Sequence, residues 1–133
     1  MSLVKAKKHL GQHFLTDKNI AQRIVDGLVH TDKYHQVLEV GPGMGILSDI
    51  LLQREDLQTF LIDIDTESFN FLREKYPQLG DRHTNGDFLK LSFESIFPGK
   101  FAVIGNFPYN ISSQILFRIL ENRQNIVEMV GMF

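Results

Sequence analysis

Four consecutive residues, Asn106-Phe107-Pro108-Tyr109, follow an apolar run at a point where a strand is expected to end. Pro108 disfavours the helical region for Phe107, so the Phe107 carbonyl is expected to point outward beside the Asn106 side-chain oxygen. Two acceptors facing one point match the two N–H donors of an amino group on a planar base. Tyr109 offers an aromatic face on which such a base stacks. The pattern predicts catalysis by positioning an amine nitrogen towards an electrophile; a Pro-containing turn with a core tyrosine is the alternative.

A glycine-rich stretch, EVGPGMG at 39–45, follows an earlier apolar run. Gly41, Gly43 and Gly45 permit positive φ and let a ligand approach the backbone closely. The dinucleotide fingerprint requires a third small residue where this chain has Ile46, and no Gly-Lys-Ser/Thr of a phosphate-binding loop is present. The spacing therefore favours a nucleoside without a pyrophosphate. A tight strand-to-helix turn is the alternative.

Three acidic residues follow further apolar runs. Asp63 lies about 20 residues after Gly41, where a carboxylate at a strand end accepts hydrogen bonds from ribose hydroxyls. Asp65 is better explained as an exposed helix cap. Asp87 is a candidate acceptor for an exocyclic adenine amine, and Phe88 a candidate to flank the ring. Taken alone, however, Gly-Asp is typical of an ordinary turn.

Short apolar runs that alternate with amphipathic segments must position these groups. Thr16 or Asp17 is expected to cap the first helix, and Thr66 the third. The alternation predicts an α/β fold whose parallel sheet is covered on both faces. Ligands of such sheets bind beyond the carboxyl ends of the strands, near a topological switch point, and the four groups follow the first four strands. The predicted strands are 36–40, 59–64, 82–85, 101–105 and 126–133, and the predicted helices 20–28, 46–54, 66–77 and 113–121.

Composition limits the possible functions. The 133 residues suffice for one domain, with 43% hydrophobic and 23% charged residues and a net charge of −2. This charge argues against nucleic-acid binding over the whole surface; the run at 5–9 is either a local basic patch or a solvated terminus. The absence of cysteine excludes disulfides and thiolate metal sites. No apolar run approaches the ~20 residues of a membrane span, and no signal peptide is evident, so we expect a cytoplasmic protein.

Three motifs together resemble the ribosomal RNA adenine dimethyltransferases: an N-terminal KKHLGQHFL, the EVGPGMG loop and GNFPYNIS at 105–112. The resemblance runs from about Lys5 to Phe133. It implies a Rossmann-like S-adenosylmethionine-dependent methyltransferase fold and dimethylation of N6 of two adjacent adenosines near the 3′ end of small-subunit (16S) ribosomal RNA. The N-terminal motif also fits relatives that methylate large-subunit RNA and confer antibiotic resistance. GNFPYNIS favours the ribosome-assembly branch, with the pre-30S subunit as partner.

The resemblance also implies roles for individual residues. His13, Leu15 and Gly41, within a loop that includes Gly43, would line the methionine end of S-adenosyl-L-methionine. Asp63 would hold its ribose, and Asp87, beside Phe88, its adenine amine. Asn106 would lie between cofactor and target amine, with Phe107 and Pro108, and Tyr109 would stack on the target adenine. The family usually has Asn in place of His13 and more often Glu in place of Asp63.

Family members are about twice this length and continue into a helical RNA-binding domain. We therefore expect residues 1–16 to form an arm near the cofactor and RNA site, and residues 17–133 a cofactor-binding domain truncated after its fifth strand. Such a piece would have little activity and could self-associate through its last strand, whereas the full-length protein would be a monomer. His9 and His13 have metal-binding spacing, but no third ligand is evident, so no metal is expected. A non-catalytic nucleoside- or RNA-binding module is the alternative from another class.

Overall fold

The structure, a computed structural model, describes residues 16–107 and 112–132. Short 3₁₀ turns occupy 77–82, 88–90 and 93–95. The strands are β1 Gln36–Val40, β2 Gln58–Asp63, β3 His83–Asn85, β4 Phe101–Asn106 and β5 Ile126–Met132. The helices are α1 Lys18–Asp26, α2 Ile46–Leu51, α3 Thr66–Lys75 and α4 Ser112–Glu121. Every predicted strand and helix is present.

All strand pairs in the five-stranded sheet are parallel, and the order is β3-β2-β1-β4-β5. The chain runs outward from β1 through β2 to β3 and then returns to the other side of β1 to form β4 and β5. The topological switch point therefore lies between β1 and β4, and the predicted α/β sheet is confirmed. Register places Val40 beside Gly105, so the loop after β1 begins next to the end of β4.

The structure confirms one predicted helix cap and shifts several predicted element ends by one or more residues. Asp17, one of two predicted caps, is the N-cap of α1 and accepts a hydrogen bond from the backbone N–H of Asn19 at 2.8 Å. Thr66 was the wrong choice for α3, since the N-cap is Asp65. Helix α2 ends at Leu51 rather than residue 54, and α1 spans 18–26 rather than 20–28.

Two hydrophobic layers hold the sheet, one on each face. On one face, β1 and β4 pack against α1 and α2 through Val37, Ile104, Val25 and Leu51. On the other face the layer is aromatic, and Arg118 of α4 lies over one of its rings, with its guanidinium carbon 4.6 Å from the ring centroid. This aromatic layer includes Phe88, Phe93, Phe97, Phe101 and Phe107. Because strands are buried on both sides, their sequences read as nearly continuous apolar runs.

Within the described ranges, none of the helices combines the length and apolar character required to cross a membrane.

Candidate active site at the carboxyl ends of the strands

The loop after β1 depends on glycine. Gly41, Gly43 and Gly45 have φ of 66°, 60° and 90°, a region that side-chain-bearing residues rarely adopt. The Gly41 N–H donates to the Ile62 carbonyl at 2.9 Å, which ties the loop to β2. Apart from its neighbours in the chain, no described residue has an atom within 4 Å of the position that a Gly41 Cβ would occupy, so the described part of the chain leaves this space open.

Gly45 is required for a different reason. A Cβ there would lie 2.8 Å from the Tyr76 hydroxyl oxygen and 2.9 Å from the Leu72 Cδ2 atom, both held by α3 and its C-cap. The Tyr76 hydroxyl also donates to the Gly45 carbonyl at 3.2 Å. The third glycine thus permits helix packing, whereas the space for a ligand lies above Gly41.

Asp63 ends β2 and is almost completely buried, with 4% of its surface exposed. Its Oδ1 accepts from the Asp65 N–H at 3.0 Å, and its carbonyl accepts from the Asn85 side-chain amide at 2.9 Å. Asp65 itself accepts from the Glu67 N–H and the Ser68 hydroxyl, which confirms its interpretation as a cap. Asp63 is therefore held at the strand end, next to the glycine loop.

Asp87 and Phe88 follow β3, and their side chains have different surroundings. Asp87 is half-buried, and its Oδ1 accepts from the Leu89 N–H at 2.9 Å, capping the 3₁₀ turn at 88–90. The Phe88 ring is 4% exposed and lies 5.3 Å from the Phe93 ring, between centroids, within the aromatic layer. The turn predicted for Gly-Asp is present, and the roles of both residues in ligand binding stay predictions.

Asn106 is the last residue of β4 and Phe107 follows it, with 8% and 1% of their surfaces exposed. A Cβ added to Gly105 would lie 3.1 Å from the Phe107 Cε1, and one added to Gly131 would lie 2.5 Å from the Phe107 Cε2. The Phe107 ring therefore covers two glycines on adjacent strands, and this packing positions the backbone beside Asn106. The predicted site residues His13, Leu15, Pro108 and Tyr109 lie outside the described residues, as do His9 and the basic run at 5–9.

Glu39 is a candidate site residue that sequence reasoning missed. It lies two positions before Gly41, is 1% exposed, and accepts a hydrogen bond from the Ser48 hydroxyl at 2.5 Å. Burial raises its pKa to about 8, and the negative charges of Asp63 and Asp49 add to this rise, which the Ser48 hydrogen bond opposes. An acidic residue inside an otherwise apolar strand was the available signal.

Two exposed apolar side chains flank these acids. Ile64, directly after Asp63, is 66% exposed, and Met44 in the glycine loop is 54% exposed. Together with the Asp63 carboxyl they give this edge an apolar and acidic character, while the raised pKa of the buried Glu39 keeps its carboxyl protonated at neutral pH. Such a surface suits a cationic ligand with an apolar ring and hydroxyl groups, and it disfavours a pyrophosphate. Among the described residues, no group of three or more His, Asp or Glu side chains is placed to hold a metal ion.

The fold and the site at its switch point define the class of protein to which the chain belongs. The chain has the Rossmann-like fold of the S-adenosylmethionine-dependent methyltransferases. It superposes on the crystal structure of the 23S rRNA methyltransferase ErmE with a TM-score of 0.68 and 31% identity, over 90% of this chain and 48% of that one. It superposes on a dimethyladenosine transferase from Plasmodium falciparum with a TM-score of 0.64 and 27% identity, over 86% of this chain and 40% of that one.

The family follows from the sequence comparison. Residues 3–133 match the model of the ribosomal RNA adenine dimethylase family, and the chain belongs to that family. The chain is 56% identical to the ribosomal RNA small subunit methyltransferase A of Cytophaga hutchinsonii and 54% identical to the protein of the same name from Flavobacterium johnsoniae. Each match includes 100% of this chain, but 52% and 51% of the respective relative. The chain thus spans about half the length of the curated relatives it matches.

Proposed function

We propose that this chain carries the cofactor-binding and catalytic portion of an enzyme that dimethylates N6 of two adjacent adenosines in small-subunit ribosomal RNA. The observation that carries the proposal is that the glycine loop, the buried Asp63 and Asn106 lie at the carboxyl ends of the adjacent parallel strands β1, β2 and β4. Membership of the ribosomal RNA adenine dimethylase family supports the same reaction.

In the proposed mechanism, S-adenosyl-L-methionine supplies an electrophilic methyl group. Asp63 would accept hydrogen bonds from its ribose, and the loop at Gly41 and Gly43 would receive its methionine end. The buried Glu39, protonated at neutral pH in the free chain, would release its proton and become negative when a cationic ligand binds above it. His13 and Leu15 would complete the methionine end, and Asp87 and Phe88 the adenine end.

The adenine is held by the Asn106 segment. The Asn106 side-chain oxygen and the Phe107 carbonyl accept the two N6–H donors, so the nitrogen lone pair points towards the methyl group. Pro108 maintains this backbone, and Tyr109 stacks on the base. The cofactor would supply the methyl group from its sulfonium, which would leave as a thioether while N6 loses its proton to solvent, and a second cofactor would supply the second methyl group.

Cofactor binding is tested by calorimetry with S-adenosyl-L-methionine. Asp63→Ala should weaken binding about tenfold or more, because a charged hydrogen bond contributes roughly 1.5–3 kcal/mol. Asp32→Ala is the matched control, since Asp32 is exposed in the loop after α1. No detectable binding by the unmodified chain would contradict the proposal.

Catalysis is tested by radiolabelled methyl transfer to small ribosomal subunits. The assay uses the chain alone and the chain joined to the C-terminal half of the Cytophaga hutchinsonii relative. Asn106→Ala should abolish transfer by the joined protein and leave RNA binding in place. Unchanged transfer would eliminate the proposed mechanism, and RNA binding without transfer by any form would favour the non-catalytic module.

We further propose that the chain alone transfers methyl groups poorly, because the resemblance places the RNA-binding domain in the other half of the relatives. Transfer by the chain at the rate of the joined protein would refute this. The methylation would take place in the cytoplasm on the pre-30S subunit, and the full-length protein would be a monomer. Strand β5 lies at an edge of the described sheet, so self-association of the chain through β5 is tested by sedimentation at increasing concentration.

The large-subunit substrate of the resistance enzymes is the second candidate, favoured by the superposition on ErmE. Relatives called small-subunit methyltransferase A, which are more similar in sequence, support the first candidate. Offering the joined protein separated small and large subunits would distinguish the two.

A further inference from the structure

Away from the candidate active site, a cleft opens between α3 and the 3₁₀ segment at 77–82 that follows it. Its volume is about 570 Å³, and it is lined in part by Phe69, Arg73, Asp81 and His83. None of its lining residues is a predicted site residue. Tyr76, which also lines the cleft, contacts the glycine loop through its hydrogen bond to the Gly45 carbonyl. The cleft is therefore separate from the candidate active site, and ligand binding in it does not depend on the proposed function.

His83 is the unusual residue of this cleft. Its side chain is 8% exposed, yet neither Nδ1 nor Nε2 has a hydrogen-bond partner in the part of the chain that the structure describes. The ring lies 4.4 Å from the Phe69 ring, between centroids, so one side of the imidazole is covered. Buried polar groups in folded proteins are nearly always hydrogen-bonded, so this ring requires a partner that the described residues do not supply.

Arg73 indicates the chemistry of that partner. It lies four residues after Phe69 in α3, so the two side chains share a helix face, and the Arg73 side chain is exposed at the cleft. It forms no ion pair with any described residue, whereas the neighbouring cation Lys75 is paired with Asp49 at 3.2 Å. A guanidinium with free N–H donors beside an imidazole N–H is a donor set for an oxyanion.

The cleft also contains one group of opposite charge, the exposed carboxylate of Asp81. This carboxylate opposes a bound anion and attracts a bound cation. Removing its charge therefore has opposite effects on the two kinds of ligand, and this sign distinguishes them.

We propose that this cleft is a phosphate-binding site in which Arg73 and His83 donate hydrogen bonds to the phosphate oxygens. The same chemistry is offered by free inorganic phosphate and by a phosphodiester of an RNA backbone. Both sources present oxygens that accept from the guanidinium and the imidazole. Separate titrations with the two ligands distinguish these sources.

The site is tested by following the His83 ring resonances by NMR, at constant ionic strength, during titration with inorganic phosphate and, separately, with a short oligouridylate. Phosphate should shift these resonances saturably. It should also raise the His83 pKa, which burial and then the positive charge of Arg73 hold below its ordinary value. A bound anion offsets both effects, so the pKa must move upwards if phosphate binds beside the ring.

Three variants make the result specific. Arg73→Gln should weaken phosphate binding about tenfold or more, since it removes a charged donor. Arg23→Gln is the matched control, because Arg23 and Arg73 are both exposed arginines in the last turn of a helix. Asp81→Asn should strengthen phosphate binding. Tighter binding of oligouridylate than of free phosphate would identify the RNA backbone as the source.

Three results would overturn the proposal. Resonances that do not respond to either ligand would mean that buried water satisfies the ring. An equal response in Arg73→Gln would mean that the anion does not bind at this cleft. Weaker binding in Asp81→Asn would mean that the ligand carries positive charge.

Discussion

Replacing Glu39 with glutamine should remove a pH dependence of stability that the burial of this carboxyl creates. The side chain is 1% exposed, and burial raises its pKa from the ordinary value of 4.5 to about 8 in the folded chain. Glutamine has nearly the same shape and can still accept the hydrogen bond from the Ser48 hydroxyl, but it carries no titratable proton.

The sign follows from proton counting. Between pH 4.5 and about 8 the folded chain holds a proton on Glu39 that the unfolded chain has released. The free energy of unfolding therefore falls as pH rises through this window, by up to ~1.4 kcal/mol per pH unit for this one group. From roughly pH 5 to pH 8 the accumulated loss is about 4 kcal/mol. The contribution is complete below the unfolded pKa and absent above the folded one.

The assay is urea unfolding of the wild-type chain and Glu39→Gln across this pH range. Groups that titrate in both proteins cancel in the difference, so the stability of the variant relative to wild type should rise by about 4 kcal/mol from roughly pH 5 to pH 8. Glu55→Gln, which alters an exposed carboxyl, should leave the pH dependence unchanged. Parallel curves for wild type and Glu39→Gln would refute the assignment of the raised pKa to Glu39.

Further predictions concern the same site and the fold around it. Binding of S-adenosyl-L-methionine near neutral pH should release protons, because a cation favours the Glu39 carboxylate; calorimetry in buffers of different ionisation heat measures this. Gly131→Ala should lower stability by roughly 1–3 kcal/mol, because the new methyl group meets the Gly105 carbonyl oxygen and the Phe107 ring, whereas the methyl group of Gly99→Ala meets no atom of another described residue; equal unfolding midpoints would contradict this. Asp17→Ala should cost about 1 kcal/mol through loss of the α1 N-cap, measured by thermal unfolding.

Much of the site could be predicted from the sequence because its signals are local. Short apolar runs and amphipathic segments have different periods, so strands and helices could be recognised one by one. Each strand end carries its own marker: Gly41 after β1, Asp63 at the end of β2 and Asn106 at the end of β4. Once the strands are parallel, these markers must fall on one edge of the sheet. The errors were at element ends, where Asp65 rather than Thr66 accepts the capping hydrogen bond.

The sequence alone thus determined the fold class, the glycine loop and the acids and amides at the strand ends, because those depend on neighbours along the chain. The tertiary structure alone decided that β1 lies between β2 and β4, which brings the glycine loop beside the end of β4. It also decided the raised pKa of Glu39 and the burial of both His83 ring nitrogens. Strand order and burial are set by contacts between residues distant in sequence, and no local period records them.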